Sequence, residues 1–156
     1  MPATEDLIQV GFSLHQEGKL EEAENAYKEA LAQDSDNAEI YNLLGVLKLQ
    51  QKDVISAVSL VEKAVEKQPN AYFYETLFQT YIRAKLYKEI VKKAPEVLKK
   101  FPDDFSLMFN IALAYKNLKK NKEAISFYER ALKIDPSSYD AWFNLSHLYS
   151  VEAQTN

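Results

Sequence analysis

Pro69, Pro102 and Pro136 stand 33 and 34 residues apart, and each follows an apolar stretch that ends in charge. A unit of that length cannot enclose a core alone, so such a chain must stack copies of one small motif and bury apolar surface between neighbours. On this period the chain divides into repeats 4–37, 38–70, 71–104 and 105–138, followed by a terminal helix at 139–151, all in one domain spanning 1–156.

Columns counted from the start of each repeat are chemically uniform. The fourth reads Leu7, Tyr41, Tyr74, Met108, Trp142 and the seventh Val10, Leu44, Leu77, Ile111, Leu145, all large and apolar. The eighth (Gly11, Gly45, Phe78, Ala112, Ser146), twentieth (Ala23, Ala57, Ile90, Ala124) and twenty-seventh (Ala30, Ala64, Val97, Ala131) are mostly small. The twenty-fourth, Tyr27, Val61, Ala94 and Tyr128, is mostly large again. Columns 4, 7, 8 and 11 share one helical face, and columns 20, 24 and 27 share another. Large side chains facing small ones let helices approach closely, which predicts an antiparallel helix pair per repeat and an all-α chain. Gly18 and Asp53 mark inner turns, while Asn37, Asn70, Asp104 and Ser138 stand where N-caps of first helices belong. Asn121 is expected to cap the second helix of the fourth repeat.

The fourth repeat carries Met108, Ile111, Ala112, Tyr115, Ala124, Tyr128, Ala131 and Pro136 in the order large, large, small, aromatic, small, aromatic, small, proline. From Thr4 to about Val151 this layout resembles the tetratricopeptide repeat (TPR) family. The resemblance implies a right-handed superhelical solenoid whose first helices line a concave groove, with the second helices outside. Regular breaks argue against the competing reading, one long coiled coil. The third repeat departs from the pattern: Phe78, Ile90 and Val97 bring bulk, Ala94 brings a gap, and Pro95 falls inside the second helix, where it is expected to force a kink or a restart.

In such an array columns 2, 5, 9 and 12 of the first helices face the groove. They place Ile8 and Phe12 in the first repeat; Asn42, Val46 and Leu49 in the second; Gln79 and Ile82 in the third; Phe109 and Leu113 in the fourth; and Phe143 in the terminal helix. Glu39 and Tyr72 belong to the same columns. An ordinary surface helix keeps its outer face polar, so this second apolar stripe predicts a groove for an extended or helical peptide. The alternative is that columns 5 and 12 pack against the next repeat. Column 6 adds Asn110 and Asn144, the amide type that superhelical arms of O-linked glycosyltransferases use along this column to hold substrate backbone. The Lys and Asn that start the carboxylate clamp for chaperone tails are missing from columns 5 and 9 of every repeat.

His15 and His147 lie at opposite ends of the array and are expected at the surface or its edge, with no shared metal. Without cysteine, thiolate metal sites, iron–sulfur clusters and cysteine nucleophiles are excluded, and three scattered glycines make no phosphate loop. No cofactor is expected and no catalytic constellation converges. Residues 1–70 hold 13 acids and 6 bases, a net of −7, whereas 71–156 hold 10 acids and 13 bases, a net of +3. The basic half is nearly all lysine, including Lys92, Lys93, Lys116, Lys119, Lys120 and Lys122, which reads as a solvated face rather than a nucleic-acid surface. No apolar run is long enough to span a bilayer, and an acidic N-terminus in place of a secretory signal makes the cytoplasm the expected compartment.

These features predict a non-catalytic scaffold that binds a protein or peptide in its groove. A substrate-recruiting arm of a larger enzyme, such as an O-linked glycosyltransferase, and a self-assembling scaffold are the rival readings. The terminal helix still shows a full apolar stripe at Trp142, Leu145 and Tyr149, which is expected to pair two copies of the chain.

Overall fold

Asn37 accepts hydrogen bonds from the backbone N–H groups of Glu39 and Ile40, Asn70 from Phe73, Asp104 from Leu107 and Ser138 from Ala141. Each of the four polar residues preceding a first helix therefore closes an N-terminus whose donors would otherwise lack partners. The computed structural model describes all residues, 1–156, as nine α-helices and no strand. They are α1 (Thr4–Gln16), α2 (Leu20–Gln33), α3 (Ala38–Gln50), α4 (Val54–Lys67), α5 (Ala71–Arg83), α6 (Tyr87–Lys100), α7 (Phe105–Asn117), α8 (Asn121–Ile134) and α9 (Tyr139–Thr155). The terminal helix thus runs four residues past 151. The helices form two compact units, Met1–Thr80 and Tyr81–Asn156.

In the first unit α1 packs along α2 and α3 along α4. The small–large pairing sets their spacing: a Cβ added at Gly11 would lie 2.6 Å from the Tyr27 ring, and one at Gly45 would strike a Val61 methyl. Leu7, Ile8, Ala23, Tyr27 and Ala30 join Ile40, Leu44 and Leu47 of the following helix in one core cluster. Columns 3 and 10, which the repeat pattern did not single out, form this contact between successive pairs. Ile40 and Leu47 are fully buried there, whereas α1 carries exposed Asp6 and Ser13 at the same columns.

In the second unit α7 packs along α8, with α6 against α7 and α9 against α8. Ala112, Ala124, Tyr128, Leu132, Ala141, Leu145 and Leu148 build its core. Ile90, Ala94 and Val97 of the third repeat are buried here, as Phe78 is in the first unit. Pro95 does not restart the helix. α6 continues through it as one 14-residue element with Pro95 on its exposed side, so the missing N–H is absorbed within the helix.

Two other expectations are corrected, and the inner turns share one conformation. Lys120, not Asn121, is the N-cap of α8 and offers no side-chain cap; Asn121 instead donates to Glu152 of α9. His15 is buried, because column 12 follows column 8 by four residues and so shares the face where Tyr27 packs on Gly11; its ring meets Tyr27 edge-on at 6.2 Å. The inner turn takes a left-handed residue at column 15 of every repeat: Gly18 (φ 78°), Lys52 (63°), Lys85 (59°) and Lys119 (62°).

Candidate functional site

The first-helix faces separate into buried, half-buried and open positions. In the first unit Ile8, Gln9 and Phe12 of α1, Glu39, Asn42 and Leu43 of α3, and Tyr72 of α5 line a cleft of about 250 Å³. Phe12 and Tyr72 are 43% and 60% exposed, unusually open for aromatic side chains on helices. Ile8 and Asn42 are buried, Asn42 to 1% exposure, because column 5 lies against the neighbouring helix. Asn42 Oδ1 has no hydrogen-bond partner. An acceptor left dry in this way is costly. Gln9 and Leu43 belong to column 6, the column that also holds Asn110 and Asn144.

Val46, Leu49, Ile82, Leu113 and Phe109 are half-buried, and Gln79 is exposed. Phe109 stacks on Phe105 at 5.9 Å and meets Tyr128 edge-on at 5.5 Å, which makes it as much core as surface. Asn110 is buried, with Nδ2 unpaired, because column 6 joins columns 3 and 10 in the row that faces the adjacent helix. Asn144 is half-buried and internally engaged: its Oδ1 accepts from Lys116 Nζ at 2.6 Å and its Nδ2 donates to the Asp140 carbonyl at 2.8 Å. The two amides are therefore not equivalent rungs.

On α9, Phe143 is 62% exposed and stacks on Tyr139 at 6.2 Å. Trp142 and Tyr149 are 49% and 46% exposed, and with Glu129, Leu132, Lys133 and Leu145 they line a second cleft of about 250 Å³. Leu145 itself is 2% exposed, so the expected open stripe is reduced to its two aromatic members. Both are tethered, Trp142 Nε1 to the Pro136 carbonyl at 2.9 Å and the Tyr149 hydroxyl to Glu129.

Charge in the first unit is organised around Glu24. Its Oε1 accepts from Lys28 and Lys48 at 2.7 and 2.9 Å, and its Oε2 from Gln51 at 3.1 Å. The Lys28 and Lys48 hydrogen bonds hold its carboxyl down from the ordinary 4.5 to about 2. Burial, with the Glu39 charge adding to it, pushes the Tyr27 phenol up to about 12.

Profiles described as TPR repeat and Tetratricopeptide repeat match residues 11–52, 105–138 and 127–156. The chain belongs to the tetratricopeptide repeat family. It is 28% identical over 137 residues to the human Protein O-mannosyl-transferase TMTC3, an alignment covering 85% of this chain and 15% of that protein. It is 29% identical over 113 residues to Anaphase-promoting complex subunit 6 of Arabidopsis thaliana, covering 72% of this chain and 16% of the relative. The chain thus spans less than a fifth of the length of either curated relative. Among solved structures it is similar to YrrB, described as a TPR protein with an unusual peptide-binding site, at a TM-score of 0.78 and 22% identity over 94% of this chain and 76% of that one. The fold class is the all-α helical-repeat solenoid of this TPR family, a family of protein-interaction scaffolds. No helix of this TPR chain is long and apolar enough to cross a membrane.

Proposed function

We propose that this TPR chain works as a single repeat domain that holds a peptide of a partner protein against its first-helix faces, without chemistry of its own. The observation that carries this reading is the cleft of the first unit, where open Phe12 and Tyr72 flank the dry, unpaired Oδ1 of Asn42. Apolar side chains of a peptide would cover the rings, and rotation of the Asn42 side chain toward the cleft would offer its amide oxygen to a backbone or side-chain N–H. The same reading applies within each unit by itself, to Val46, Leu49 and Gln79 in the first and to Ile82, Leu113 and Phe143 in the second. The partner is a protein rather than nucleic acid, and the proposed setting is the cytoplasm.

The test is peptide selection from a displayed random library, followed by binding to Phe12→Gln and Asn42→Ala. Selected peptides are expected to lose at least tenfold in affinity to each variant while circular dichroism and melting of Phe12→Gln stay unchanged. Peptides indifferent to both variants would overturn the groove reading, and an unfolded Phe12→Gln would assign that ring to the core.

A second reading makes the chain a recruiting segment of a longer enzyme. The unpaired Nδ2 of Asn110 favours it, and TMTC3, an O-mannosyl-transferase by name, is a relative in which such a segment occupies a small part of the length. Reading the gene beyond both ends of this sequence decides whether a catalytic domain accompanies it.

A further inference from the structure

In the second unit, α6 and the turn joining α7 to α8 enclose a cleft of about 360 Å³ lined by Lys88, Val91, Lys92, Leu118 and Lys120. Its floor is apolar, half-buried Val91 and Leu118, and its three lysines are exposed. Lys88 and Lys92 lie one helical turn apart, a spacing at which like charges repel. No carboxylate stands within ion-pair distance of any of the three. Elsewhere on α6 the carboxylate of Glu96 pairs with Lys100 at 3.4 Å. Residues 81–156 as a whole hold 13 bases and 9 acids, a net of +4, and here that excess meets open apolar surface.

We propose that this cleft docks an acidic segment of a partner protein, which inserts one apolar side chain onto Val91 and Leu118 while its flanking carboxylates pair with Lys88, Lys92 and Lys120. Both halves of the site call for such a ligand. The floor gains from being dried, and three uncompensated ammonium groups around it gain from negative charge. A nucleic acid fits poorly, because the cleft holds no arginine for bidentate phosphate contact and no aromatic ring for a base to stack on. A bilayer fits poorly as well, since a concavity receives a side chain, whereas membrane binding calls for a protruding apolar face. The site uses the second helix and an inner turn, not the first-helix columns of the peptide groove, so the two proposals stand or fall separately.

The experiment is selection of twelve-residue displayed peptides against the full chain, counter-selected on the triple variant Lys88→Glu, Lys92→Glu, Lys120→Glu. These lysines are exposed and unpaired, so the variant is expected to keep its circular dichroism spectrum and melting temperature. Peptides retained only by the native chain should carry Asp or Glu on both sides of Leu, Ile or Phe. A fluorescein-labelled copy should bind at least tenfold more weakly after Glu→Gln or Leu→Ser changes in the peptide, weaken with rising salt, and be unaffected by Phe12→Gln in the protein. Three results would overturn the proposal: no acidic enrichment, affinity unchanged by the lysine reversals, or tighter lysine-dependent binding of oligo-dT or of phosphatidylserine vesicles than of any selected peptide.

Discussion

The Tyr27 ring occupies the space that a side chain on Gly11 would need, 2.6 Å from where a Cβ would stand. Tyr27 is fully buried and its ring cannot yield without shifting α2. Gly11→Ala gains the better helix propensity of alanine but overpacks the pair. We expect a net loss of about 1–2 kcal/mol, read as a lower melting temperature. An unchanged melt would show that the α1–α2 spacing is soft.

Glu24 makes the first unit acid-sensitive. Its carboxyl is depressed in the folded chain, so its stabilisation is fully present above the ordinary value of 4.5 and is lost as pH falls through about 2. At 13% exposure the carboxylate is only partly screened, and the contribution should be on the order of 2 kcal/mol. Glu24→Gln should therefore melt earlier than the native chain at pH 7 and converge with it near pH 2. Parallel melting curves across that range would remove Glu24 from the account.

Tyr128 is buried with its hydroxyl unpaired, and burial raises the phenol well above its usual range. Removing a dry, unsatisfied hydroxyl while keeping the ring costs little. Tyr128→Phe should hold or raise stability by up to about 1 kcal/mol in denaturant titration. A loss of more than about 1 kcal/mol would mean the hydroxyl is solvated after all.

Pro95 leaves α6 unbroken, so its cost is confined to one missing hydrogen bond and a crowded carbonyl. Pro95→Ala should restore both and raise the melting temperature by a few degrees, offset in part by a freer unfolded chain. A drop exceeding about 1 kcal/mol would show that Ile90 and Val97 need the proline-shaped helix.

Trp142 and Tyr149 leave α9 with an apolar face that we propose pairs two copies of the chain. Because Leu145 is already buried, the incentive is smaller than the full stripe would have given. Light scattering should show mass rising with concentration, with a blue shift of Trp142 fluorescence. A constant monomer with unshifted emission at the highest concentration sinks the pairing.

The columns that were legible in sequence are those where size alone decides. Gly11 under Tyr27 and Gly45 under Val61 follow from small facing large, and the four N-caps follow from a polar residue at a fixed phase. The candidate site was less legible, because the face proposed as a groove and the contact between successive pairs lie only one residue apart around the helix. Ile8, Asn42 and Asn110 fell on the buried side of that boundary and Phe12 on the open side. Column 12 straddles the same boundary: its four-residue spacing from Gly11 carries His15 onto the buried Tyr27 side rather than to the surface. The cleft at Lys88, Val91 and Lys92 left no mark in the columns, since it depends on where the α7–α8 turn comes to rest.

Lysine, not glycine, holds the left-handed conformation at three of the four inner turns. A side chain in that region costs roughly 1–2 kcal/mol, so Lys52, Lys85 and Lys119 each sit on a small local instability that Gly18 lacks. The elbows of the later repeats are therefore where the chain should breathe first. Amide protons flanking these three lysines should exchange with solvent sooner than those beside Gly18, a looseness at the later elbows that the uniform helix content conceals.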